Sequence, residues 1–243
     1  MKHILSLLAL AAVTSVTAQN QPMNLGDEEV DIAVWNEELQ AKADAGDKEA
    51  QWVVGMCYAE GKGVEPSEAQ AFLWWRKSAE QGFMDAQYWL GRIYQTDGAV
   101  DRSDENAFEW YLKAAEQGHP AAQRRVARCY YEGKGAEQDY EIAFDWYKKA
   151  AEANDKQSMV MLGSMWEDGL ADSQDYEQAV HWYLKAAESG DAEGQYNTGR
   201  MYENGNGVER NTETAIEWYK KAKAQDKDPY STFAAARLEE LLH

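Results

Sequence analysis

The residues able to do chemistry are few and scattered. His3, His119, His181 and His243 show neither metal-ligand spacing nor a nucleophile–base arrangement. Lone acidic pairs such as Glu167-Asp168 supply an acid and a base, but nothing in the sequence places them in a shared pocket. The Gly-Lys-Gly runs at Gly61 and Gly133 resemble phosphate loops only superficially, since each follows a helical pattern with no strand before it. Cys57 and Cys129 fall in one apolar column with Ile93, Met165 and Met201, which predicts buried, unpaired thiols. Helices pack roughly 8–10 Å apart, so two units of separation exceed the ~4.4–6.8 Å that a disulfide spans. Export to an oxidising compartment is the one argument the other way. This inventory implies no catalytic residues, no metal and no cofactor.

The elements that would position these residues emerge on comparing the chain with itself. Segments beginning at Gly46, Gly82, Gly118, Asn154 and Gly190 align without a gap at 36-residue spacing. Their second halves read AFLWWRKSAEQG, AFEWYLKAAEQG, AFDWYKKAAEAN, AVHWYLKAAESG and AIEWYKKAKAQD. Trp74, Trp110, Trp146, Trp182 and Trp218 share a column, each followed by an aromatic residue: Trp75, Tyr111, Tyr147, Tyr183 and Tyr219. In the first halves, Ala50, Val54, Gly55 and Tyr58 recur as Ala86, Leu90, Gly91 and Tyr94, a spacing that shares one helical face. A Gly signal closes this helix, at Gly61, Gly133, Gly169 and Gly205, with Asp97-Gly98 shifted by one residue. The second helix opens at Ser67, Ser103, Asp139, Asp175 and Asn211, all N-cap residue types. Acidic residues follow in its first turn, and Lys77, Lys113, Lys149, Lys185 and Lys221 sit near its far end, as the helix dipole favours.

The fold class is therefore all-α: five 36-residue helix-turn-helix repeats (46–81, 82–117, 118–153, 154–189 and 190–225) in a solenoid. One pair is too small to enclose a core. A Trp buries about 150–250 Å², so adjacent units must stack to cover the repeated indole. Replacing Trp146 by Ala is expected to cost ~3–5 kcal/mol. Residues 28–45, with Trp35, Leu39 and Ala43 at spacing four, read as an N-terminal capping helix, and residues 226–243 as a C-terminal one.

Residues 1–18 read as a signal peptide: Lys2, an apolar run from Ile4 to Val16, and Val16-Thr17-Ala18 before cleavage between Ala18 and Gln19. That run is too short to span ~30 Å of hydrocarbon, and no later stretch crosses a membrane. Residues 19–27 form a polar, flexible leader. The expected location is periplasmic or secreted. Losing Lys2 takes the formal charge from −19 to −20, a balance that repels nucleic acid and anionic membranes.

The columns resemble the SEL-like repeat (SLR) family, relatives of the tetratricopeptide solenoids. The resemblance rests on AQYWLGRIY, YAEGKGV, YENGNGV and AFEWYLKAAEQG and covers about Ala45 to Ala224. It implies a right-handed superhelix of antiparallel helix pairs that scaffolds complexes or holds a peptide or protein on its concave side. Some bacterial members carry a Cys pair in every repeat. This chain does not, so their disulfide chemistry does not transfer. The family pattern turns two columns toward the groove: Met56, Arg92, Arg128, Ser164 and Arg200, and Trp52, Tyr88, Arg124, Val160 and Tyr196, with Tyr131 one turn on. The expected partner-binding residues are thus Trp52, Tyr88, Arg92, Arg124, Arg128, Tyr131, Tyr196 and Arg200, since Arg and Tyr supply contact area and oriented hydrogen bonds. The competing reading is that these arginines pair with Glu across the stack.

The function implied is an exported, non-catalytic, monomeric protein that binds a peptide or protein, with carboxylates the matching partner chemistry. The alternatives are a cell-wall or peptide hydrolase, and a self-associating structural protein.

Overall fold

A computed structural model describes residues 34–96, 98, 100–170, 173–225 and 228–242. The segments read as signal peptide and leader, with His3 and His243, lie outside the described residues. These residues form twelve helices and no strand: α1 (Glu37–Asp44), α2 (Lys48–Glu60), α3 (Glu68–Glu80), α4 (Met84–Gln95), α5 (Asp104–Glu116), α6 (Pro120–Glu132), α7 (Tyr140–Glu152), α8 (Lys156–Asp168), α9 (Tyr176–Glu188), α10 (Ala192–Asn204), α11 (Thr212–Lys223) and α12 (Pro229–Leu242). The all-α repeat architecture is that of an α-solenoid. The chain forms two compact units, one running through Ala122 and including Lys134–Ala136, the other comprising Gln123–Gly133 and the residues from Glu137 onward.

Local chemistry sets the helix ends. Ser67, Ser103, Asp139, Asp175 and Asn211 each cap the second helix of a pair, accepting from the backbone N–H three residues on at 2.9–3.3 Å. The backbone N–H of each cap also donates to the preceding helix, at Tyr58, Tyr94, Tyr130, Trp166 and Tyr202, which sets the angle of the turn. Gly61, Gly169 and Gly205 close α2, α8 and α10 in the left-handed conformation. In the second repeat α4 stops at Gln95 and Thr96 is extended, its hydroxyl donating to the Ile93 carbonyl. At the N-terminus the helix is shorter than the spacing of Trp35, Leu39 and Ala43 predicts. Asn36 caps it by accepting from Leu39 N–H at 2.8 Å, so Trp35 lies outside, its indole donating to Gln40.

The sequence reading has adjacent units stack to bury the repeated Trp, and the structure corrects which ring is buried most deeply. The deeply buried ring is the next residue: Trp75, Tyr111, Tyr147, Tyr183 and Tyr219 are at most 2% exposed. Trp74 and Trp182 are buried less deeply, and Trp110, Trp146 and Trp218 are only half-buried. The reason is a close approach. An added Cβ at Gly55 would lie 2.4 Å from the Trp75 ring, at Gly91 2.5 Å from Tyr111, at Gly163 2.6 Å from Tyr183 and at Gly199 2.7 Å from Tyr219. The ring of the second helix lies against bare backbone of the first. The adjacent Trp points one helical step aside, where the Lys three residues later covers it. The Lys77, Lys113, Lys149, Lys185 and Lys221 ammoniums stand 3.6–4.8 Å from their indole centroids. At these sites the cation–π contact contributes about 0.5–1 kcal/mol.

A polar ladder, unread in the sequence, joins successive pairs. The buried Gln51, Gln87 and Gln195 donate to the carbonyls of Ala43, Ala79 and Ala187 at the end of the preceding helix. Their side-chain oxygens accept from Gln81, Gln117 and Gln225 at 2.7–2.9 Å. Each of these carbonyls lies at a helix C-terminus and also accepts from the Gly N–H three residues on, so the Gln adds a second bond there.

The expected mutational order follows. Tyr183→Ala should cost ~3–5 kcal/mol and Trp146→Ala less, about 1–2 kcal/mol. Gly163→Ala should cost ~1–3 kcal/mol by displacing the ring. Urea midpoints of the three variants check the ranking, and a Trp146 variant as damaged as the Tyr183 variant contradicts it.

Candidate functional site

Where the repeat pattern is kept, the buried ring is tethered at its polar tip. The Tyr111 hydroxyl donates to Gln95 at 2.9 Å, that of Tyr183 to Glu167 at 3.0 Å and that of Tyr219 to Glu203 at 2.7 Å. The acceptor always comes from the column four residues after the buried Gly. The third repeat departs in both columns, with Ala127 in place of Gly and Tyr131 in place of the acceptor. Among the described residues the Tyr147 hydroxyl has no hydrogen-bond partner, and its ring lines a cavity of about 290 Å³.

Four helices of the second unit line this cavity: α6 gives Arg124, Arg128, Tyr131 and Glu132, α7 gives Tyr147, α8 gives Gln157, Val160 and Met161, and α10 gives Glu193. Arg124 donates through Nε to Asp155, the N-cap of α8, at 3.0 Å, and Arg128 through Nε to Glu132 at 2.6 Å. In both, the terminal nitrogens of the guanidinium make no hydrogen bond within the described residues. Burial raises the pKa of the Tyr131 and Tyr147 hydroxyls, so both remain protonated donors at neutral pH.

The other arginine of this strip is spent. Arg200 places both terminal nitrogens on Glu167, each at 2.6 Å, a bidentate pair between consecutive repeats. Burial pushes the Glu167 carboxyl upward. The hydrogen bond and charge of Arg200, with the Tyr183 hydroxyl, outweigh this and hold it below its ordinary value. Tyr196 is half-buried in an aromatic group with Tyr219, Tyr230 and Phe233.

In the first unit, Tyr88 does not face a groove. It is 2% exposed, stacked on His119 at 4.5 Å and tilted against Tyr111. Arg92 lies over Trp89 at 4.1 Å. Trp52 is half-buried against Phe83, and its carbonyl accepts from the Trp75 indole at 3.1 Å. Of the eight residues expected to bind a partner, the structure gathers Arg124, Arg128 and Tyr131 around one cavity. It commits Arg200 to an ion pair and Tyr88 to the core. Tyr147, Val160 and Met161 complete the cavity. The signal that could have found Tyr147 is the paired departure at Ala127 and Tyr131.

Cys57 and Cys129 are buried thiols, and burial raises that of Cys57. Among the described residues no group of three or more His, Cys, Asp or Glu side chains could hold a metal ion, and no helix is long and apolar enough to cross a membrane.

Paired helices repeated at fixed spacing define an α-solenoid. The chain belongs to the Sel1 repeat family, whose model matches residues 48–83, 85–119, 120–155, 156–191 and 192–227. Among solved structures it is similar to a protective antigen present in uropathogenic Escherichia coli strains, at 33% identity and a TM-score of 0.79, covering 84% of this chain and 43% of the antigen. It thus spans less than half the length of that relative. A Sel1 repeat protein from Oxalobacter formigenes is 33% identical with a TM-score of 0.73, covering 76% of each chain. A Klebsiella pneumoniae putative Sel1 repeat protein, 20% identical with a TM-score of 0.50, covers 85% of this chain and 99% of its own and shares the fold. The curated proteins compared yield no match.

The lowered carboxyl of Glu167 has a sign. A folded-state pKa below the unfolded value of 4.5 gives stabilisation that is present above that value and lost as pH falls through the folded one. Arg200→Met should therefore destabilise by about 1–3 kcal/mol at pH 7, discounted for partial exposure. Its deficit against the parent chain should shrink below pH 4.5. Urea unfolding at both pH values measures this, and a deficit that grows in acid contradicts the pairing.

Proposed function

We propose that this chain is an exported, non-catalytic scaffold that holds a carboxylate-bearing segment of a partner protein. Sel1 repeats are typically protein-interaction scaffolds, which supports the general reading. The observation that carries the finer one is the state of Arg124 and Arg128. Each is bonded through Nε alone, which orients the guanidinium while its two terminal nitrogens stay available. A planar fork held in place is the donor geometry that carboxylates match. Such a site on an acidic protein is selective, because the surrounding charge repels anions that do not reach it. Export rests on the charged start, short apolar run and small residues of positions 1–18.

The test is crosslinking in the native compartment, then capture with the parent chain, Arg124→Ala/Arg128→Ala and Arg200→Ala. The double variant should lose at least tenfold of the captured partner while Arg200→Ala keeps it. Equal capture by all three rejects the cavity as the contact. Sequencing the N-terminus of the exported protein should begin at Gln19, and a chain retained inside the cell rejects export.

A further inference from the structure

The third repeat lacks a bond that its neighbours make, and the cavity lies where that bond would be. In the second, fourth and fifth repeats the ring hydroxyl is occupied by Gln95, Glu167 and Glu203. In the third, the equivalent residue is Tyr131, which donates as readily as it accepts. Tyr147 thus carries a hydroxyl on a ring only 2% exposed, lining the cavity and lacking the acceptor that this repeat geometry normally supplies. Arg124 and Arg128 line the same cavity as Tyr147. The ring is held in the core while the hydroxyl is not among the fully enclosed polar atoms, so it is a positioned donor that an acceptor arriving from outside can reach.

We infer that this cavity is a subsite for the free α-carboxylate at the end of a polypeptide, with the Tyr147 hydroxyl as its fixed donor and the terminal nitrogens of Arg124 and Arg128 as counter-charges. The inference rests on the scaffold reading above and deepens it. A volume of about 290 Å³, at the lower limit of ligand pockets, suits a single terminal residue. Val160 and Met161 line the same space and suit an apolar last side chain. The acidic neighbours are already answered. Glu132 is paired with Arg128, Asp155 with Arg124, and Glu193 accepts from the Tyr230 hydroxyl at 2.5 Å. Burial also raises the Glu193 carboxyl, weakening its repulsion of an incoming anion.

The experiment is an NMR-detected titration of the full chain with three probes: N-acetyl-alanyl-leucine, its C-terminal amide, and N-acetyl-alanyl-glutamate α-amide, whose sole carboxylate is on the side chain. The free acid should bind at least tenfold more tightly than either other probe. Tyr147→Phe, which keeps the ring against Ala127, should weaken the acid about tenfold or more, as loss of a hydrogen bond to a charged group does. Tyr131→Gln, which restores the residue that the second repeat uses, should weaken it similarly by occupying the hydroxyl. Equal binding of the amide, equal binding of the glutamate probe, or an unchanged affinity in Tyr147→Phe overturns the assignment. If no probe binds while Arg124→Ala/Arg128→Ala still abolishes partner capture, the chain-end assignment falls and the scaffold reading stands.

Discussion

An aromatic ring pressed onto bare backbone is the contact on which the rest of the structure depends. With no Cβ at Gly55, Gly91, Gly163 or Gly199, the following helix approaches until its ring touches the main chain. That approach fixes the separation of the two helices and buries the ring almost completely. It also brings the ring tip within reach of a side chain one turn further along the partner helix, so hydroxyl and acceptor meet in three of the repeats. The neighbouring Trp is displaced toward the surface, where its face meets a Lys ammonium. The close approach in four repeats follows from this missing methyl group, while the ammonium–indole contact does not need it, since Lys149 lies 4.0 Å from the Trp146 ring in the repeat that carries Ala127.

The third repeat shows how such a scheme tolerates a departure. Ala127 adds the Cβ that its counterparts lack, yet Tyr147 remains buried. The tether is absent there and a cavity opens. Losing one tether leaves the other pairs intact, because in repeat architectures stability is a sum of local and nearest-neighbour terms.

Much of this was legible in the sequence. The caps at Ser67, Ser103, Asp139, Asp175 and Asn211 follow from residue type and register alone, because a cap is a local hydrogen bond. The left-handed closures at Gly61, Gly169 and Gly205 follow for the same reason. Choosing between two adjacent aromatics was harder. Trp and Tyr both bury large rings, and a helical step of one residue shifts the face in a way that spacing alone does not resolve. Only the depth of the approach at the Gly column decides it. The fate of the arginines was less legible still. Arg124, Arg128 and Arg200 occupy similar columns, and what separates them is which nitrogens their carboxylate partners engage. That depends on Asp155, Glu132 and Glu167, placed by three different helices and turns. Tyr88 carries the same lesson, since its column is half-exposed at Trp52 and buried one repeat later.

The turns between paired helices carry one further consequence. The second Gly of the turn meets the repeat before it main chain to main chain: a Cβ at Gly135 would lie 2.2 Å from the Asp104 carbonyl oxygen, and one at Gly207 2.2 Å from that of Tyr176. Contact between peptide groups is indifferent to residue type, so this part of the seam survives duplication of a module, whereas a side-chain pair such as Arg200–Glu167 has to be inherited with both of its members.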